Sequence, residues 1–166
     1  MTFLDLIAGD AVFIDANTFV YHFAPDPTWS GPCGQLIQRV QNQELSGYTS
    51  AAILGELAHR LMTIEAKARH GWTSGKVLQR LKKNPAIVQT LGNSEAALTS
   101  IVGSRVRIIP IDSTLVVAAA GISRQTGLLS NDALMVAAMQ ANSLTKLASN
   151  DGDLDGIPGI TRYAPA

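Results

Sequence analysis

Five carboxylates in this chain occupy positions where acids rarely stand without a purpose. Asp15 closes the apolar run Ala11-Val12-Phe13-Ile14, and Glu56 lies among Ile53, Leu54, Leu57 and Ala58. Asp132 follows Gly127-Leu128-Leu129-Ser130-Asn131, and Asp151 and Asp153 follow Lys146-Leu147-Ala148-Ser149-Asn150. Carboxylates gathered in one place repel one another, and a protein that keeps them together does so around something positive. Oxygen ligands with no accompanying Cys or His pattern select a hard divalent cation, Mg²⁺ or Mn²⁺. Such an ion lowers the pKa of a bound water. His22, His59 and His70 have no paired spacing of the zinc-binding kind and read as structural or surface residues.

Each acid also has a simpler reading. Asp112, just before Ser113, is a helix cap, and Asp132 taken alone has the same option. Asp151-Gly152-Asp153 alone is a turn. Glu56 in its apolar surroundings needs a partner, a cation or an edge position.

The elements that must carry these acids follow from the apolar patterning. Continuous β-prone runs at 11–15, 106–111 and 146–151, with a shorter one at 47–49, predict strands, and 160–163 predicts a short last strand at the sheet edge. Helices are predicted over 17–23, 32–44, 50–69, from a break at His70-Gly71-Trp72-Thr73-Ser74 with a new N-cap to Lys83, over 86–102 with an interruption at Gly92-Asn93-Ser94, over 113–126 and from Asp132 to Ala141. Strands alternating with helices make an α/β fold, a central mostly parallel sheet with helices on both faces. Right-handed connections then place all strand carboxyl ends, and the acids that follow them, along one edge.

At 166 residues the chain is one domain, 1–166. Thirteen Lys and Arg balance 13 Asp and Glu, so a nucleic-acid partner must be met by a local patch rather than by net charge. Cys33 is the only cysteine, the start meets acids at once instead of a basic leader, and no apolar run approaches the ~20 residues of a membrane span. A cytoplasmic location is the expectation.

Four segments together resemble a PIN domain, and within that family the VapC-type toxins of toxin–antitoxin pairs. They are Phe13-Ile14-Asp15-Ala16-Asn17, Thr49-Ser50 through Glu56-Leu57, Leu128 through Ala138 around Asp132, and Leu147-Ala148-Ser149-Asn150-Asp151-Gly152-Asp153-Leu154. Residues 66–100 are longer than in a compact member, and Leu154 stands where an aromatic is common. The resemblance implies a three-layer α/β/α sandwich and a Mg²⁺- or Mn²⁺-dependent endoribonuclease, the toxin of a type II pair. Asp15, Glu56, Asp132 and Asp151 would be its catalytic metal ligands, with Asp153 as an outer ligand. Asn17, Thr18 or Ser130 would orient a carboxylate or the scissile phosphate. A cognate antitoxin and a homodimer are implied as well, with the apolar 36–64 helices as the expected dimer surface.

RNA must also be held. Seven of the 13 basic residues lie between Arg60 and Lys83, with Glu65 the only acid among them. Arg60, Lys76, Arg80 and Lys83, with Asn17, are therefore the expected substrate-binding residues. Trp72 at the helix break could stack on a base, although a Trp there is more often a core or dimer residue. Three rivals remain. A phosphatase of the haloacid dehalogenase type wants a second Asp at position 17, where this chain has Asn. An EF-hand starting at Asp151 would need Glu where Arg162 stands. The third is a catalytically inactive PIN-fold module that only binds RNA.

Overall fold

The computed structural model describes residues 1–73 and 75–166. Five strands, β1 (Ala11–Ile14), β2 (Ser46–Ser50), β3 (Arg107–Ile109), β4 (Lys146–Ala148) and β5 (Thr161–Tyr163), form one sheet in the order β3-β2-β1-β4-β5. Every pairing is parallel. Val12, Phe13 and Ile14 are fully buried, as an unbroken apolar run in the innermost strand of a sheet covered on both faces requires. Phe13 lies in register with Tyr48 on one side and Leu147 on the other.

The connections are helical: α1 (Ala16–Phe23), α2 (Ser30–Gln41), α3 (Ala51–His70), α4 (Val77–Lys83), α5 (Pro85–Val88), α6 (Asn93–Val102), α7 (Ser113–Thr126) and α8 (Ser130–Ala141). The strand order grows outward from β1 in both directions, so right-handed crossovers put helices on opposite faces and complete the α/β/α sandwich. α2 ends three residues before the expected Glu44, because Gln43 turns into the left-handed region (φ 61°). Asp112 caps α7, accepting the Leu115 N–H at 2.9 Å, as its position before Ser113 predicts. The new cap expected at the 70–74 break falls partly on Ser74, which lies outside the described residues; α4 begins after Lys76.

One expectation is corrected by packing. The apolar stripe of residues 36–64 is not a free surface: Leu36, Ile37, Val40, Ile53, Leu57 and Leu61 are all buried in the main core of the monomer. Helical spacing marks an apolar face but does not say what covers it. A second, smaller core lies beyond it, where Ala66, Val77, Leu81 and Leu91 pack with Met62, Trp72, Ile87 and Val88. It holds α4 and α5 to the last turns of α3.

Candidate active site

The sheet changes direction between β1 and β4, and ligands in open α/β sheets bind beyond the carboxyl ends of the strands at that point. Asp15 follows β1, and Ser149, Asn150 and Asp151 follow β4. The two strand ends are stitched together. The Asp15 N–H donates to the Ala148 carbonyl at 3.1 Å, and the Thr18 hydroxyl donates to the same carbonyl at 3.1 Å.

Asp15 is only 9% exposed, yet its carboxylate is well provided with donors. Oδ1 accepts the Ala16 N–H at 2.6 Å, and Oδ2 accepts the Asn17 amide at 2.5 Å and the Ser149 hydroxyl at 2.7 Å. Burial nevertheless pushes its carboxyl up to about 6, and the nearby Glu56 carboxylate adds to the rise. The hydrogen bonds and the more distant Arg60 only partly oppose it.

The other acids come from three further elements. Glu56 sits in the second turn of α3, a helix whose start is fixed by Ser50 accepting the Ile53 N–H at 3.3 Å. It is half-exposed and faces Arg60 at 3.5 Å, one turn along, which supplies the partner its apolar surroundings demand. Asp132 lies in the first turn of α8 but makes no capping bond, so the simpler reading of this acid does not hold. Its carboxyl is raised by burial first and then by Asp151, Glu56 and Asp153. Asp151 turns the chain by accepting the Asp153 N–H at 3.0 Å, and its own N–H donates to Ser149. Asp155 is drawn away: Arg162 grips it with two bonds of 2.8 and 2.7 Å, which hold its carboxyl below the usual range.

These electrostatics test whether a divalent cation fits. Asp132 senses three other acids and Asp15 senses Glu56, all of hard oxygen chemistry. Bringing in positive charge relieves that repulsion. Among the described residues, no three His, Cys, Asp or Glu already converge as a closed cage. The case for a cation therefore rests on the mutual repulsion of these carboxylates and on their oxygen chemistry. Beside the acids, a cavity of about 220 Å³ is lined by Ser50, Ile53, Glu56, His59, Asn131 and Met135. His59 is thus a surface residue at the rim of the site, whereas His22 lies edge-on to Phe23 and His70 stacks on Trp72.

The remaining predicted residues separate into two groups. Asn17 is buried, and its amide is fully engaged within the protein: it donates to Asp15 and Ser149 and accepts the Asn150 N–H at 3.1 Å. That is the position of a residue that orients Asp15. Lys76, just ahead of α4, and Arg80 and Lys83 on it are exposed. α4 packs in the small core with Met62 and Ala66, six and ten residues, about 9 and 15 Å, along α3 from Glu56. Ser149 was given no role by the sequence. Its hydroxyl contacts Asp15, Asn17 and the backbone of Asp151, and the only local signal for it was a small polar residue at a strand end, just ahead of an acid.

The PIN domain family model matches residues 12–160. Among solved structures, the chain is similar to VapBC2 from Rickettsia felis bound to a DNA fragment from its promoter, at 16% identity and a TM-score of 0.59, covering 94% of this chain and 99% of that one. It is similar also to VapC20 of Mycobacterium tuberculosis, a Sarcin-Ricin loop cleaving toxin, at 18% identity and a TM-score of 0.58, covering 86% and 91%. A toxin–antitoxin complex from Klebsiella pneumoniae matches at 16% identity and a TM-score of 0.58, covering 90% and 95%. Among curated protein sequences, none matches this chain.

Proposed function

Because the chain belongs to the PIN domain family, we propose that it is a divalent-metal-dependent endoribonuclease and the toxin of a type II toxin–antitoxin pair. The observation that carries the chemistry is the raised carboxyl of Asp132, which senses Asp151, Glu56 and Asp153 at one sheet edge. The similarity in fold to VapBC proteins and to VapC20, a Sarcin-Ricin loop cleaving toxin, supports the biological role.

In this reading Asp15, Glu56, Asp132 and Asp151 hold Mg²⁺ or Mn²⁺, directly or through water, with Asp153 outside them. When bound, the metal supplies an acidified water and charge neutralisation at the phosphodiester. The chain's own residues do the rest. Ser149 and Asn17 hold the Asp15 carboxylate in one orientation, with both bonds to Oδ2, so that Oδ1 keeps a lone pair beyond its bond to Ala16. Arg60 stands beside Glu56, where a guanidinium can meet a phosphate oxygen. The cavity next to Glu56, with Ile53 and Met135 as its apolar floor, has room for part of a nucleotide.

The expected partners are RNA, an antitoxin whose basic side chain enters the acid cluster, and a second copy of the chain. A homodimer would use a face other than the buried 36–64 stripe, and Val116 and Val117 on α7 are exposed for it. No described helix is long and apolar enough to cross a membrane. The phosphatase reading is disfavoured because the Asn17 amide is buried and bonded, not poised as an acid.

The test is cleavage of RNA by the purified chain with EDTA, with Mg²⁺ and with Mn²⁺, beside Asp132→Asn. Cleavage restored by metal and lost in the variant is the expected result. Cleavage that ignores EDTA, or persists in Asp132→Asn at the original rate, overturns the proposal, and binding without cleavage under every condition favours the inactive RNA-binding module.

A further inference from the structure

The chain is neutral as a whole, but its charges are not evenly placed. No acid lies between Glu65 and Glu95, whereas Lys67, Arg69, Lys76, Arg80, Lys82 and Lys83 do. Six of 13 basic residues and none of 13 acids leave residues 66–94 at +6 and the rest of the chain at −6. This stretch is also distinct in packing, since it holds α4 and α5 over the small second core. α4 turns Val77 and Leu81 inward and leaves Lys82 and Lys83 exposed, with the exposed Lys76 just ahead of it.

Within the stretch, Arg69 is engaged by the buried Glu65 at 2.6 Å and by the Thr90 carbonyl at 2.7 Å. Among the described residues, Lys67, Lys76, Lys82 and Lys83 have no ion-pair partner. An ordinary solvated face mixes both signs, because like charges on neighbouring turns repel. This one concentrates a single sign on a protein that is otherwise acidic.

We infer, on the nuclease reading above, that residues 66–94 form an RNA-anchoring site separate from the cleavage centre, which grips the phosphate backbone by charge. The Trp72 ring stacks on His70, with centroids 4.9 Å apart, and lies 5.2 Å from the Arg80 guanidinium. It is half-buried against the small core, in keeping with the core alternative for this residue. What remains outward is lysine, a flexible point charge suited to phosphate and blind to base identity. A protein partner fits less well. Lysine is depleted at protein interfaces, whose centres are apolar, and Leu78 is the only large apolar side chain described as exposed in this stretch.

The small core that carries the site begins at Met62, six residues or about 9 Å along α3 from Glu56. At ~3.4 Å per nucleotide of a helical strand, one RNA must run about three nucleotides or more to reach both places. Substrates shorter than that are cleaved without help from the anchor.

The experiment uses the full chain and the triple variant Lys76→Ala/Lys82→Ala/Lys83→Ala, with Lys76→Arg/Lys82→Arg/Lys83→Arg as the charge-preserving control. Binding to an RNA of roughly 30 nucleotides is measured in EDTA across a salt series, and three lost phosphate contacts should flatten the log–log slope by about 2. With metal present, KM on that RNA should rise about tenfold with kcat held, while kcat/KM on a dinucleotide stays within about twofold, and the Arg control should match the parent. An unchanged slope overturns the anchor. So does an equal loss on both substrates, or intact RNA binding with lost binding to poly-glutamate, which would assign the surface to an acidic protein. If no form of the chain cleaves RNA, the nuclease reading fails, and the salt slope in EDTA still decides whether the anchor exists.

Discussion

Asn17 and Asp15 are joined by a buried 2.5 Å hydrogen bond from the amide to Oδ2, and the same side chain accepts the Asn150 N–H across the β1–β4 seam. One asparagine therefore fixes the orientation of the central acid and the approach of the segment carrying Asp151. Asn17→Ala should lower cleavage mainly through kcat and metal affinity, with KM for RNA little changed. Stability should fall by about 1–3 kcal/mol, because a buried N–H is left without its acceptor. Steady-state kinetics with a metal titration check this. A rise in KM alone would mean that Asn17 touches substrate after all.

The Asp15 carboxyl predicts a pH dependence for the metal-free chain. Its folded-state value, about 6 against the ordinary 3.8, means that the folded chain binds this proton more tightly than the unfolded one. Its contribution is greatest below about pH 4, is lost as pH rises towards 6, and is flat above that, for a total of at most about 3 kcal/mol. Chemical denaturation in EDTA between pH 4 and 7 should show the fall. Added Mn²⁺ at pH 7 should recover stability, as binding to the folded state alone requires.

Glu65 carries a buried carboxylate that joins three parts of the chain. It pairs with Arg69 and accepts the Asn93 N–H at 2.9 Å and the Gly92 N–H at 3.3 Å, at the start of α6. Glu65→Ala leaves the Gly92 and Asn93 N–H groups without their acceptor and should destabilise by about 1–3 kcal/mol, since the half-exposed Arg69 keeps its bond to the Thr90 carbonyl. Limited proteolysis should then cut first within 66–94, ahead of the sheet. Uniform cutting across the chain would show that the small core does not depend on this carboxylate.

Gly47 is required by its neighbours. A Cβ there would lie 2.6 Å from one Val40 methyl and 3.1 Å from the other. Gly47→Ala should cost about 1–3 kcal/mol by overpacking, and Val40→Ala in the same chain should return part of it. Melting of the single and double variants checks this, and additive losses would sink the explanation.

The sequence made the central strand and its acid legible because four apolar residues running into Asp15 have few other uses. Ser50 and Asp112 announced their helices by local chemistry that needs no tertiary contact. What stayed hidden depended on distant partners. Gly92-Asn93 read as a break in a helix, yet it is the start of α6, held by a glutamate 27 and 28 residues earlier. Ser149 acquires its role from Asp15, 134 residues away. Lys76, Arg80 and Lys83 were visible as a basic run, but the docking of α4 on the last turns of α3 was not.

The opposite charges of residues 66–94 and the rest make this neutral molecule an electric dipole. A polyanion exerts little net pull on it from afar but does exert a torque. On the nuclease reading, RNA would turn the chain as it approaches, basic end foremost, so that the acidic edge arrives second. Association should therefore slow with added salt despite zero net charge, as steered encounters do.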